Sequence, residues 1–294
     1  MLKVKLSAFA DEYADSVDEQ IIGLRENGVP FAELRGLDGK NVSSLTREEM
    51  ETAHKKLSAG GIGVSSIGSP IGKIDVTGDF DAHLKQFENT LLAAEVFGTK
   101  YIRVFSFFIP KEDHNEEGLR KHFPEVTRRL EIMLREADKR GIILCHENER
   151  GIFGESPLGG IKLMKHFGGK LRFVFDHANY ISAGYTPYPD AYSLLKPYIE
   201  YMHIKDAVKT SDSEEVMPAG LGTGRIKETL ADLIGSGFSN YLTVEPHLQV
   251  FSGIDELEHG ENKLVKNKFA SKAEAFACAV ISIKKILDEI YAGK

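Results

Sequence analysis

Short apolar runs alternate with stretches of helical periodicity eight times along this 294-residue chain, and that rhythm limits the possible folds more than any other property. The runs fall at 4–9, 31–34, 62–67, 101–105, 142–147, 171–176, 201–203 and 241–245. Each is too short for a helix and is bounded by glycine or polar residues, as expected of buried strands. Helix signals lie between them. Ser16 with Glu19 and Thr46 with Glu49 have capping-box spacing, and these helices stop at Asn27-Gly28 and Gly60-Gly61. The segment 82–97 carries Leu84, Phe87, Leu91 and Ala94 on one face, with Gly98 closing it. Pro124 is expected to open the next helix and Gly141 to end it; further helices are expected at 158–167, 191–195, 226–234 and 273–290.

Strand and helix repeated eight times over this length predict an α/β fold, a single (β/α)8 TIM barrel occupying 1–294 as one domain. The rival is a doubly wound open sheet. Its phosphate-binding glycines are missing after the first strand, where Ala10-Asp11-Glu12 stands instead. The long connections 106–123, 148–156, 177–187, 205–225 and 246–270 all follow strands, so they are expected to crowd the C-terminal mouth of the barrel.

Composition narrows the function classes. A net charge of −7 argues against a nucleic-acid partner, which favours a basic surface. No apolar run approaches the length of a membrane span, and the chain starts on a strand rather than a signal peptide, so a cytoplasmic protein is expected. Cys145 and Cys278 are too few for a disulfide framework and are expected to be buried thiols.

Four of the runs end on a polar residue able to bind a metal: Glu147, Asp176, His203 and Glu245. In a parallel barrel, strand ends converge on one mouth, so these four are expected to hold one divalent cation there. Carboxylates with a single imidazole suit Mn2+, and equally admit Mg2+ or Co2+; Zn2+ is also compatible. The blander reading is that each acidic residue simply caps the helix that follows.

The segments Leu144-Cys145-His146-Glu147-Asn148, Phe175-Asp176, His203-Ile204-Lys205-Asp206 and Val244-Glu245 resemble the xylose isomerase-like TIM barrels of the sugar phosphate isomerase/epimerase superfamily. The likeness runs over nearly the whole chain and includes the glycine-bearing loop Gly220-Leu221-Gly222-Thr223-Gly224. It implies that Glu147, Asp176, His203 and Glu245 are the metal ligands. It further implies that Glu147 and Glu245 also carry protons on opposite sides of a bound ketose. An α-proton leaves only when the carbonyl oxygen is polarised as charge develops, which a bound metal provides, and a nearby carboxylate then takes the proton. Many epimerases of this group place a substrate-contacting histidine three residues after the aspartate; here Asn179 holds that place. Asn179 can bond a sugar hydroxyl but cannot carry a proton, which leaves room for isomerase or dehydratase chemistry.

Lys205 lies two residues beyond His203, on the same side if the strand persists, where it can meet a substrate oxygen or remain a solvated loop lysine. Glu33 ends the second strand, where it could contact substrate, but the preferred expectation is a salt bridge with Arg35 or Arg103. Alternation turns His146 away from the mouth, His177 is expected to face away, and His247 is left unplaced. Phe107 and Phe108 are expected to form an apolar wall. The function expected is a metal-dependent isomerase or epimerase acting on a small carbohydrate, with no nucleic-acid or membrane partner and with homo-oligomerisation open. A lyase of the same barrel is the alternative. An endonuclease IV-like phosphodiesterase is disfavoured, because the second to fourth strands end near Glu33, Gly68 and Ser106 without histidine. A non-catalytic binding barrel is disfavoured by the intact ligand set. A phosphorylated substrate would need a basic cluster or an exposed glycine-rich helix start, for which Gly222-Thr223-Gly224-Arg225 is only a weak candidate.

Overall fold

The computed structural model describes residues 3–211, 213–250 and 269–293. Eight parallel strands close into a barrel: β1 Lys5–Ala8, β2 Phe31–Leu34, β3 Gly63–Gly68, β4 Tyr101–Val104, β5 Ile143–Glu147, β6 Arg172–Asp176, β7 Ile199–Ile204 and β8 Tyr241–Val244. Each pairs with its neighbours in sequence, and β1 pairs with β8 to complete the ring, Ala8 standing opposite Val244. Closure rules out the open sheet.

Helices α1 Val17–Glu26, α2 Arg47–Ala59, α3 Phe80–Phe97, α4 Glu116–Asp138 and α5 Pro157–Phe167 follow the first five strands. Beyond β6 come α6 His177–Ala183 and the short α7 Tyr192–Leu195; α8 Ile226–Gly235 follows β7, and α9 Lys272–Ala292 follows β8. The core lies between strands and helices. Leu24, Leu57, Phe87, Leu91, Leu130, Leu163, Leu230 and Ile283 are among its buried members, turned inward from the helical ring.

Local chemistry accounts for most boundaries. Thr46 and Glu49 make a reciprocal capping box, and Gly98 adopts the left-handed conformation that ends α3. The expectation for Pro124 was wrong. Helix α4 starts before it, at Glu116, with Pro124 inside. Asn115 Oδ1 accepts from the backbone N–H groups of Glu117 and Gly118 at 3.0 Å each, and two glutamates occupy the first turn. That cap and its favourable charge outweigh the hydrogen bond missing at the proline.

Two expected loops contain structure. The stretch 177–187 is largely α6, which starts directly after Asp176, and 205–225 contains the antiparallel hairpin Asp206–Lys209 with Glu214–Met217. Of the expected loop 246–270, residues 251–268 lie outside the described residues. Cys145 is buried as expected, whereas Cys278 is only partly covered, because it sits at the edge of the inward face of α9; neither forms a disulfide. Among the described residues no helix is long and apolar enough to cross a membrane.

Candidate metal centre

Along each strand every second side chain points into the barrel, so the interior is built in layers. Tyr101, Cys145, Val174 and Tyr201 fill the lower layer. Two residues further along the same strands stand Arg103, Glu147, Asp176 and His203, and Glu245 joins them from just beyond β8. All five are buried. The register of β6 on β7 sets Asp176 opposite His203, and β8 on β7 sets Thr243 opposite His203.

Glu147, Asp176, His203 and Glu245 each offer a ligand atom, and these atoms lie within 4.8 Å of one another. His203 Nδ1 faces the carboxylates, 2.8 Å from Glu147 Oε1 and 3.5 Å from Glu245 Oε2. Its Nε2 lies 3.2 Å from Glu33 Oε2, and the edge of Phe9 packs against the ring. Asp176 does two jobs. Its carboxylate accepts from Asn179 N–H at 2.8 Å, capping α6, while Oδ2 is buried and accepts no hydrogen bond. The side chain therefore caps a helix and still leaves one buried oxygen free to act as a ligand. Asn148 clamps the Asp176 backbone, bonding both its N–H and its C=O.

The centre carries more negative than fixed positive charge. Glu33, Glu147, Asp176, Glu245, Asp11 and Glu12 are buried carboxylates, against the cations Arg35, Arg103 and Lys205. Burial penalises every one of these charges, so the excess is relieved by protons. Burial pushes Asp176 up to about 7, with Glu245 and Glu147 adding to the rise and Lys205 opposing it. Burial works against charge on His203, but Glu147 and Glu33 more than reverse it and raise the imidazole to about 10. Burial also acts to raise Glu147 and Glu245. His203 and Arg103 overcome it for Glu147, and Lys205, His247, His203 and Arg35 overcome it for Glu245, so both stay ionised below the ordinary carboxylate range. A divalent cation fits this environment: three carboxylates, one imidazole with its second nitrogen on a carboxylate, and a charge excess that two positive charges would offset.

Three cations hold the glutamates. Arg35 bridges Asp11, Glu12 and Glu245, its Nη1 3.1 Å from Glu245 Oε1. Arg103 Nη1 lies 3.1 Å from Glu147 Oε2, and its Nη2 donates to the Gly68 carbonyl. Both guanidiniums stack over the ring of Phe9, at 4.4 Å and 5.3 Å. Lys205 Nζ lies 3.0 Å from Glu245 Oε2 and 3.3 Å from Asp176 Oδ2, so it is a buried member of the site rather than a solvated lysine. Asn179 Nδ2 reaches Glu147 Oε1 at 3.2 Å and the Asn148 carbonyl at 2.8 Å.

Other expectations fare differently. His146 is buried away from the centre with Nε2 on Ser106 Oγ, and His177 likewise with Nε2 on Thr229 Oγ1. His247 comes back to the site: its Nδ1 is 3.3 Å from Glu12 Oε1 and its N–H donates to Glu12 Oε2. Glu33 does not make the salt bridge expected of it. It accepts from Ser66 Oγ and Tyr201 Oη and turns its other oxygen to His203, while Arg35 and Arg103 pair with Glu245 and Glu147 instead. The loop at 220–224 is no anion cradle either. The N–H groups of Gly220, Gly222 and Gly224 all donate to the Asp206 carboxylate. Phe107 is walled in against Phe80 and His83, as expected of an apolar support.

Asp11, Glu12, Arg35, Arg103 and Asn148 were not picked out from sequence as members of the site. For Arg35 and Arg103 a signal was present, since each lies on the inward parity of its strand. Nothing local marks Asp11 and Glu12, which a 3-10 turn after β1 folds over the mouth.

A family model described as xylose isomerase-like TIM barrel matches residues 23–263. No curated protein matches the sequence significantly. Among solved structures, the probable 3-DHS dehydratase AsbF of Bacillus anthracis, involved in petrobactin synthesis, superposes with a TM-score of 0.71 at 15% identity, over 96% of this chain and 99% of that one. D-allulose 3-epimerase from Methylomonas sp. in complex with D-allulose gives 0.71 at 12% identity, over 97% of each chain. A xylose isomerase-like TIM barrel protein from Mycobacterium smegmatis in complex with magnesium gives 0.69 at 14%, covering 99% of this chain and 98% of that one. At these identities the likeness is one of fold.

Proposed function

The chain belongs to the xylose isomerase-like TIM barrel family, and from that premise we propose that it is a metal-dependent isomerase or epimerase of a small keto-sugar or keto-polyol. The observation that carries this reading is the pair of buried, ionised glutamates flanking one candidate metal position, each held by its own arginine. Glu147, Asp176, His203 and Glu245 would hold the ion, with Mn2+ the first choice by ligand chemistry and Mg2+, found in one protein of the same fold, close behind. When bound, the metal polarises the substrate carbonyl and so acidifies the neighbouring C–H.

The protein's residues do the rest. One glutamate takes the α-proton, and the other returns a proton to the opposite face or the adjacent carbon. Their lowered pKa values keep both ionised in the resting site, so one is ready as the base and the partner that acts as acid first takes its proton from solvent or a substrate hydroxyl. Lys205, held between Asp176 and Glu245, is placed to donate to the developing oxyanion. Asn179 binds a substrate hydroxyl. Because Asn179 cannot shuttle a proton, lyase chemistry is the second reading: the same α-proton is removed, and the glutamate that took it passes it to the β-hydroxyl, which leaves as water. The dehydratase among the structural neighbours supports keeping it.

The test is solvent deuterium exchange. With the right keto-sugar, deuterium should enter at the carbon next to the carbonyl. Glu147→Gln and Glu245→Gln should retain part of the metal but lose about 10²–10⁴-fold in turnover, the usual contribution of an acid or base. Near-normal turnover in either metal-loaded variant would remove that glutamate from proton transfer. Cleavage of abasic DNA without any sugar exchange would replace the reading altogether.

A further inference from the structure

A cavity of about 780 Å³ opens on the same end of the barrel as the candidate metal centre, with Phe108, Lys111, His114, Arg150, Glu155 and Lys209 in its wall. Its size falls within the usual range for small-molecule sites. Its walls come from the loops after β4 and β5, the end of α6 and the hairpin after β7. These follow the strands that carry Arg103, Glu147, Asp176 and His203. Arg150 is three residues past Glu147, so their Cα atoms are at most about 11 Å apart. A ligand anchored here can therefore reach the metal centre.

The charge in this cavity is opposite to that of the chain as a whole. Lys111 makes no ion pair or side-chain hydrogen bond among the described residues. Arg150 Nη2 is 3.6 Å from Glu214 Oε1, longer than a hydrogen bond, and the side chain is 40% exposed. Lys209 gives one donor to the Ser182 carbonyl and keeps two. Glu155, the acidic member of the wall, is engaged by His114 Nδ1 at 3.3 Å and by the Gly151 N–H. That pairing raises the imidazole above its ordinary value, burial opposing it. Phe108 and Ile109 supply an apolar side. Three cations with unused donors around an amphipathic cavity make a receptor for a small organic anion.

We propose that this cavity binds the anionic end of the substrate, a phosphate monoester or a carboxylate, while the keto end lies at Glu147 and Glu245. The inference rests on the isomerase reading for the reacting end. It explains a basic cluster on an acidic protein once Asp206 has closed the glycine loop to anions.

Calorimetric titration of the full chain with inorganic phosphate and, separately, with malonate tests it, on metal-loaded and on chelator-treated protein. Saturable binding is expected in both states. Lys111→Gln with Arg150→Gln should weaken it about tenfold or more for each charge-assisted hydrogen bond removed, leaving metal content unchanged. Preference for phosphate or for malonate identifies the group. Binding that disappears with the metal would place the anion at the ion, and binding unaltered in the double variant would place it elsewhere; either result overturns the proposal, as does no saturable binding of either probe. None of these outcomes depends on whether sugar exchange occurs, so the isomerase reading stands or falls separately.

Discussion

Replacing Glu33 with glutamine isolates the groups that orient the candidate metal ligand. Glu33 uses both oxygens as acceptors, one for Ser66 and Tyr201 and the other for His203 Nε2. A glutamine lacks the charge and has one acceptor oxygen, so its NH2 group faces either the Ser66 and Tyr201 hydroxyls, which can rotate to accept, or His203 Nε2. If it faces His203, Nε2 must give up its proton to accept, and that proton moves to Nδ1, the nitrogen aimed at the metal position. Loss of such an outer partner typically weakens metal binding 10–100-fold, or about 1.4–2.8 kcal/mol. Tyr201→Phe is the control: it removes one donor, leaves the carboxylate on His203, and should change metal affinity far less. The chain has no tryptophan to report binding, so calorimetry with metal analysis is the assay. A folded Glu33→Gln protein with the wild-type metal dissociation constant would refute the role given to Glu33.

Asp176→Asn should lose most metal occupancy while keeping its cap on α6 through the amide oxygen, which metal analysis beside circular dichroism will show. Asp206→Ala removes the acceptor for three glycine N–H groups and should cost about 3–5 kcal/mol, by the usual worth of charge-assisted hydrogen bonds, with new protease cleavage at 220–224; an unchanged urea midpoint counts against it. His146 and His177 are depressed to about 3 and His83 to about 4, each chiefly by burial. Below pH 6.5 the unfolded chain binds protons that the fold refuses, so stability is full above that value and falls towards pH 3. At pH 5 each histidine costs about 2 kcal/mol. Asp176, raised to about 7, acts in the opposite sense, so Asp176→Asn gives the cleaner comparison of urea melts. A flat profile between pH 6.5 and 5 would refute this.

The strands were legible because each is a buried run between clear stops; 31–34 was read with the bounds it has. Strand ends also marked Glu147, Asp176, His203 and Glu245, since a polar residue closing an apolar run stands out. Pro124 misled because its local meaning was read without weighing Asn115 upstream. Glu33 misled for a different reason: sequence offers nearby arginines as partners, but its strand turns it toward a histidine 170 positions away. The basic cavity left no pattern to read. Lys111, Arg150 and Lys209 lie far apart in sequence and line one cavity only because the segments after β4, β5 and β7 share one end of the barrel.

The ring of Phe9 ties together two parts of the barrel that sequence keeps apart. It carries Arg35 on one side and Arg103 on another, and through them touches the environment of both glutamates. Gly68 is bound to the same ring, since a β-carbon there would come 2.5 Å from Phe9 Cε1. A change at either position therefore reaches the surroundings of Glu147 and Glu245 together. Evolution working from Phe9 or Gly68 shifts the surroundings of both glutamates jointly, whereas a change at Arg35 reaches Glu245 alone and a change at Arg103 reaches Glu147 alone.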